Sequence, residues 1–386
     1  MKTFFSEVTG VKYPWPKYAQ SSMYDFGGGM ENVSATTLGQ DSLTEEREGF
    51  YNMDSLNSHE LAHQWFGDLV TCMHWGDTWL NESFATYFEM LYMRHSRGEN
   101  EYLTEVAGNT RSYLAEARRY LRPISTKFYS NPDVMFDSHT YPKGGVVLHT
   151  LRRQIGDEAF FAGINYYLTK WRHTPVESAQ LRRAFLEATG INVEPFWAQW
   201  FEKPGHPVLE PRWTAVGDTV QLTIKQIQNT SEGVPVYDIP ASVGIIGKDG
   251  SQTIVPIHLS QTEETFNLAA PHGAAAVLVD PNWDFLREVV NVKWTLSEAE
   301  AVMEYGWAAP DRNEAFIQVV AEGGSIEKCM KAMAGDMSAD PAIRGVGRIL
   351  GKVEESQRGF WMTQAGHPNM DRREVAFSAL AKLPAT

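Results

Sequence analysis

The stretch Ser58-His59-Glu60-Leu61-Ala62-His63-Gln64-Trp65-Phe66-Gly67 holds a His-Glu-x-x-His pattern, and Glu82 follows it. On a helix, positions i and i+4 stand one above the other on one face, so His59 and His63 can offer two imidazoles to one ion. Glu60 lies beside the first of them and is free to hold a proton drawn from water. Two imidazoles and the Glu82 carboxylate leave a fourth position open, the donor set of a hydrolytic rather than a structural Zn2+. An ion held this way lowers the pKa of a coordinated water to about 7. A chance His-Glu-x-x-His arises in roughly a few per cent of sequences of this length and composition. The plain alternative is a polar helix face with two satisfied histidines. A glutamate in a first helical turn also suits the helix dipole, but a ligand role for Glu82 is favoured once the histidines are in place. The remaining histidines show no metal spacing to one another and read as surface or core residues.

Those side chains need two helices to carry them. Asp54 or Ser55 can cap the first, and Gly67 is a natural left-handed stop for it. The run Trp79–Phe88 predicts the second, with Glu82 in its first turn and Gly98 as its end. Upstream, Tyr13-Pro14-Trp15-Pro16-Lys17-Tyr18 predicts an extended segment over residues 1–26, because proline disfavours helix. After Gly27-Gly28-Gly29-Met30-Glu31-Asn32, Val33–Leu38 reads as an edge strand. The glycines fit neither phosphate-loop pattern. Bare backbone followed by a carboxylate can grip an extended peptide: the main chain pairs along it, and Glu31 pairs with an ammonium.

Residues 146–204 carry apolar side chains at helical spacing, broken by Gly156, Pro175 and Gly190. Phe196–Phe201 reads as a core stripe. Pro204-Gly205-His206-Pro207 marks a boundary, after which the period changes to two. About seven short strands, with a turn at Lys248-Asp249-Gly250, predict a small β-sandwich. From residue 294 the pattern is helical again. Thr295-x-x-Glu298, Asp311-x-x-Glu314 and Asp371-x-x-Glu374 resemble helix starts, and the last two echo each other, as in a partial α-helical solenoid. The fold class expected is multidomain α+β, divided at 1–206, 207–293 and 294–386.

The chain has 386 residues, 43% of them hydrophobic, which allows a sizeable core. Its net charge of −14 argues against nucleic acid and anionic membranes as partners, and no apolar run is long enough to span a bilayer. Cys72 and Cys329 form no metal pattern and are expected to be free. The first residues lack the apolar core of a signal peptide. Oligomeric state and compartment, cytoplasmic or exported, stay open.

Taken together, Gly28-Gly29-Met30-Glu31-Asn32, His59-Glu60-x-x-His63 and Glu82, in this order, resemble the M1 family of zinc aminopeptidases. These are gluzincins of the aminopeptidase N type with a thermolysin-like catalytic domain. The resemblance runs through residues 11–206 and continues at Phe136–Gly144. It implies one Zn2+ on His59, His63 and Glu82, Glu60 as general base, and Tyr141 as donor to the developing oxyanion. It also implies that Gly28, Gly29, Met30, Glu31 and Asn32 bind peptide substrates with a free N-terminus. Ser83 stands where many members carry glycine, an exchange expected to be harmless. The family's β-rich N-terminal domain is expected to be missing here. The amine grip would then rest on Glu31 alone, and exopeptidase selectivity would be weaker. Three alternatives remain open: a gluzincin endopeptidase, an epoxide hydrolase like one M1 branch, and a catalytically weak scaffold. Gly28–Asn32 speaks against the first and the intact catalytic set against the third.

Overall fold

A computed structural model describes residues 1–40, 53–350 and 353–384. The first residues depart from the extended reading. They form helix α1 (Lys2–Thr9), ended by Gly10 in the left-handed conformation. Phe5 and Thr9, one helical turn apart, are both buried. Phe5 meets Trp65 and Phe88 edge-on, with ring centroids 6.0 and 5.7 Å away. Burying that ring against the metal-motif segment overrides the local signal, which the downstream prolines dominate.

Three strands follow: β1 (Ala19–Met23), β2 (Gly29–Met30) and β3 (Ala35–Gly39), in the sheet order β1-β3-β2. The strand expected at the edge is thus central, parallel to β1 and antiparallel to β2. Leu38 and Thr36 of β3 are buried, which suits a middle strand. The edge falls to β2, the glycine-containing segment itself.

Helix α2 (Asp54–Ala62) has Met53 at its N-cap with no side-chain cap bond, so Asp54 contributes only charge in the first turn. It stops before Gly67, but His63 keeps helical dihedrals of φ −57° and ψ −25°, preserving the i, i+4 relation to His59. Gly67 instead shapes the turn into β4 (Val70–Cys72). Helix α3 (Trp79–Arg97) runs as expected, with Glu82 in its first turn and Gly98 at its end. Phe66 stacks on Phe84 at 4.5 Å and 6°, which fastens the end of α2 to α3 just beyond Glu82.

Helices α4 (Glu99–Ala117), α5 (Gly144–Ile155) and α6 (Asp157–Lys170), strand β5 (Thr174–Val176), then α7 (Ser178–Thr189) and α8 (Glu194–Trp200) complete this part. Ahead of α5, His139–Lys143 forms a π-turn. Pro142 has no N–H to give, and the Lys143 N–H reaches back to the Ser138 carbonyl at 2.9 Å. The Phe196–Phe201 stripe is core, with Trp197 stacked on Phe201 at 4.2 Å.

Strands β6 (Val208–Val216), β7 (Thr219–Gln226), β8 (Ile239–Ile246), β9 (Gln252–Leu259), β10 (Glu263–Ala269), β11 (Ala276–Val279) and β12 (Glu288–Val289) make two sheets. Their orders are β10-β7-β6-β12 and β11-β8-β9. Gly250, at φ +82°, sits in the β8–β9 turn. Leu222 and Ile224 of one sheet and Val243 and Ile245 of the other share one core with α2 and α3. That core does not break at Pro204–Pro207.

The last part contains α9 (Leu296–Tyr305), α10 (Ala309–Ala321), α11 (Ile326–Ala332), α12 (Asp340–Ile349), α13 (Arg358–Ala365) and α14 (Met370–Leu380). Thr295 and Glu298 form the capping box expected at α9. The other two caps are corrected: Asp311 lies inside α10, whose N-cap is Ala308, and Asp371 lies inside α14, which Asn369 caps. The Asp371 side chain is outside the described residues. Helix α9 packs on α10, α10 on α12, and both α12 and α13 on α14. Phe316, Trp361 and Val375 lie in this second core. The fold is thus mixed α+β. No helix among the described residues is long and apolar enough to cross a membrane.

Because Phe5 fills a fully buried site under Trp65, Phe5→Ala is expected to lower stability by about 3–5 kcal/mol. Urea unfolding reads this directly, and an unchanged midpoint would show that α1 does not dock there.

Candidate active site

Helices α2 and α3 bring three donor atoms together. His59 Nε2 and His63 Nε2 are 3.2 Å apart, and Glu82 Oε2 lies 3.5 Å from the first and 3.1 Å from the second. Ligands bonded at about 2.0–2.2 Å to a tetrahedral ion are themselves roughly 3.3–3.6 Å apart, so this spacing fits a zinc-sized cation. The outer ring nitrogens are held. His63 Nδ1 faces the Phe66 carbonyl at 2.8 Å, and His59 Nδ1 faces Glu89 at 3.3 Å. With each Nδ1 proton held outward, each Nε2 faces the shared point, where a cation can replace its proton.

The electrostatics agree with that geometry. Burial alone would keep both imidazoles neutral, but Glu82, joined by Glu89 at His59, lifts His59 to about 10 and His63 to about 9. Burial likewise opposes charge on Glu82, yet the two histidines hold its carboxyl far below the usual range. The cluster is built to hold positive charge, as protons or as a metal cation. The chemistry of the donor set and its spacing fit Zn2+.

Glu60 is buried, one carboxylate oxygen has no hydrogen-bond partner, and its side chain presses against the backbone of Gly29. A Cβ at residue 29 would come within 2.2 Å of Glu60 Oε1, so the bare backbone is what admits the carboxylate. Burial raises the Glu60 carboxyl above its ordinary value, with His59 and His63 pulling the other way. Glu31, Glu60 and His63 each bring a ligand atom within 4.8 Å of the others. Tyr141 lies parallel to the His59 ring at 6.1 Å. Burial and the nearby Glu82 charge push its phenol well up, so it stays a proton donor.

These groups line a cleft of about 920 Å³, with Met73, Trp75 and Phe136 on its apolar wall. Gly29, Met30 and Glu31 face it. The other two residues of the predicted substrate-binding stretch do not line it. Gly28, at φ +75°, makes the turn, with its carbonyl accepting the Gly39 N–H, and the Asn32 side chain donates to Thr37 at 3.0 Å.

Several contributors escaped sequence reasoning. Glu89 lies two helical turns beyond Glu82, a spacing that marks it as sharing that face of α3. Gln64 is fully buried; its amide donates to the Glu31 carbonyl at 3.0 Å and accepts from Ser34 N–H at 2.8 Å. No local signal reveals that tie, since it spans the loop between β2 and β3. His139 joins Glu116 and Asp137 in a third grouping of metal-type side chains. There Arg122 already fills the cation's place, donating to Asp137 through Nε at 2.9 Å.

Comparison with known proteins bears on the same region. Residues 1–200 match the Peptidase family M1 domain. Aminopeptidase N of Lactococcus lactis is 34% identical over 235 residues, which cover 58% of this chain and 27% of that protein. Probable aminopeptidase 1 of Sulfurisphaera tokodaii is 29% identical over 260 residues, covering 64% of this chain and 32% of that protein. The chain thus spans about a third of the length of these curated relatives. The crystal structure of Legionella pneumophila aminopeptidase A in complex with aspartic acid overlays 97% of this chain and 44% of its own, with a TM-score of 0.72 at 15% identity. That is a likeness of fold. With the family domain matched over more than half of its 386 residues, the chain belongs to peptidase family M1.

Proposed function

We propose that this chain is a zinc-dependent aminopeptidase that removes N-terminal residues from peptides. His59, His63 and Glu82 would hold one Zn2+. The observation that carries this reading is the meeting of two features in one cleft. Three donor atoms lie 3.1–3.5 Å apart, and beside them the Glu31 and Glu60 carboxylates gather around His63. When bound, zinc supplies Lewis-acid activation of water and of the scissile carbonyl.

The chain's own residues do the rest. Glu60 takes the proton of the attacking water and returns it to the leaving amine, a transfer favoured by its raised pKa. The protonated Tyr141 phenol donates to the oxyanion as charge develops there. Glu31 pairs with the substrate ammonium, and the open edge of β2 at Gly29 and Met30 pairs with its backbone. A free amine matches the negative pocket beside the metal site; a continuing peptide would bring no charge to it. That contrast favours the exopeptidase over the endopeptidase reading.

We also divide the chain into a thermolysin-like catalytic domain (1–206), a β-sandwich (207–293) and a partial helical solenoid (294–386). The last division is supported by a separate core, to which the sheets contribute Ile246, Ala276 and Leu278. The first division is one of element type, since the core runs across it.

Turnover of amino-acid anilides, with and without a chelator, tests the mechanism. Tyr141→Phe is expected to lose roughly 10²–10³-fold in kcat while keeping zinc. Glu60→Gln is expected to keep zinc and lose nearly all turnover; wild-type rates in that variant would remove Glu60 from the role of base. Substrate selectivity gives an independent check. Free-amine anilides are expected to be cleaved faster than their acetylated forms, with Glu31→Gln narrowing the gap. Equal rates on both substrates in the unmutated chain would contradict the exopeptidase reading.

A further inference from the structure

Tyr141 stands on the π-turn His139–Lys143, and a donor there must be held to a fraction of an ångström if it is to favour a transition state. Contacts reach this turn from several elements, and two directions bear on the residues around Tyr141. On one side, the Asp137 carboxylate accepts the N–H groups of His139 and Thr140, both at 3.0 Å, and the Asp137 carbonyl accepts the Tyr141 N–H at 3.1 Å. Arg122 anchors that carboxylate. This network fixes the shape of the turn but contains no residue of the two metal-bearing helices.

The second direction supplies what the first does not. Ser83 follows Glu82 directly on α3 and is fully buried. Its hydroxyl donates to the carbonyl of Thr140, the residue before Tyr141, at 2.6 Å. The approach is so close that a Cβ on Gly144 would fall 1.9 Å from Ser83 Oγ. Glycine at residue 144 is therefore what lets the serine reach the turn. One hydrogen bond thus joins the neighbour of a metal-site carboxylate to the neighbour of the phenol.

We propose that Ser83 is a positioning residue: its hydroxyl sets where the Tyr141 phenol stands relative to Glu82 and the metal site. The inference rests on the reading of Tyr141 as oxyanion donor. The tie gives a function to a buried serine that is otherwise only the neighbour of Glu82.

The test is a double-mutant cycle of Ser83→Ala with Tyr141→Phe, run on the zinc-loaded chain with elemental analysis of each variant. Ser83→Ala is expected to keep its zinc and lose roughly 5- to 30-fold in kcat, with KM within about twofold of the unmutated value. Added to Tyr141→Phe, it is expected to cost nothing further, because there is no longer a phenol to place. Ser83→Gly, read in parallel, should match Ser83→Ala. A crystal structure of the Ser83→Ala chain should show the Tyr141 hydroxyl displaced from Glu82. Equal losses in both backgrounds, an unmoved hydroxyl, or an unchanged kcat would overturn the proposal while leaving the Tyr141 reading intact. Loss of zinc would overturn it too, since Ser83 would then be holding Glu82. Wild-type turnover by Tyr141→Phe alone would instead remove the oxyanion reading, and this proposal with it.

Discussion

Two histidines and a glutamate placed 3.1–3.5 Å apart in a buried pocket form an arrangement that needs a positive charge at its centre. An isolated buried carboxylate is costly, and Glu82 tolerates burial because two imidazoles face it. Much of the surrounding fold serves this constraint. Phe66 on Phe84 locks the end of α2 to α3, Glu89 and the Phe66 carbonyl orient the rings, and Phe5 of α1 supports Trp65 from beneath. Each of these contacts bears on the placement of a donor atom that must be right to a fraction of an ångström.

The cleft adds a second charge problem beside the first. Glu31 and Glu60 approach the same histidine, and both belong to acidic groups that a cationic ligand would relieve. Their proximity depends on the bare backbone at Gly29 and on Gln64, which ties the Glu31 carbonyl to the residue after His63. The Gly29–Glu31 backbone and the helix end bearing His63 are thereby joined into one unit. Tyr141 completes the unit from a different direction, on a π-turn that Pro142 forces open and that Asp137 and Ser83 hold in shape. Rare wide turns of this kind often sit where a side chain must be aimed.

Much of this was legible in the sequence for physical reasons. The i, i+4 spacing of His59 and His63 is a geometric statement about helices, and it survives even though α2 formally ends at Ala62. Helices at 146–204 and strands after 208 follow from apolar periods that burial enforces. The failures are equally physical. Helix α1 is short, and it forms because Phe5 is buried by residues some sixty positions away, which no local pattern encodes. Val33–Leu38 carries a strand signal, but whether a strand is central or at an edge is decided by its partners. Asp311 and Asp371 resemble caps, yet the turn before each helix places Ala308 and Asn369 at the cap instead. In the site, Tyr141 came from family resemblance rather than from its own context, and Ser83 read as neutral because its hydrogen bond crosses more than fifty residues.

We propose that His59, His63 and Glu82 close on one zinc ion and leave one position to solvent. X-ray absorption at the zinc edge, on protein whose metal content has been measured, tests it most directly. One zinc per chain is expected, with a first shell of nitrogen and oxygen only and two imidazoles in the scattering pattern. Absence of stoichiometric zinc after loading, or a shell containing sulfur or a third imidazole, would contradict it.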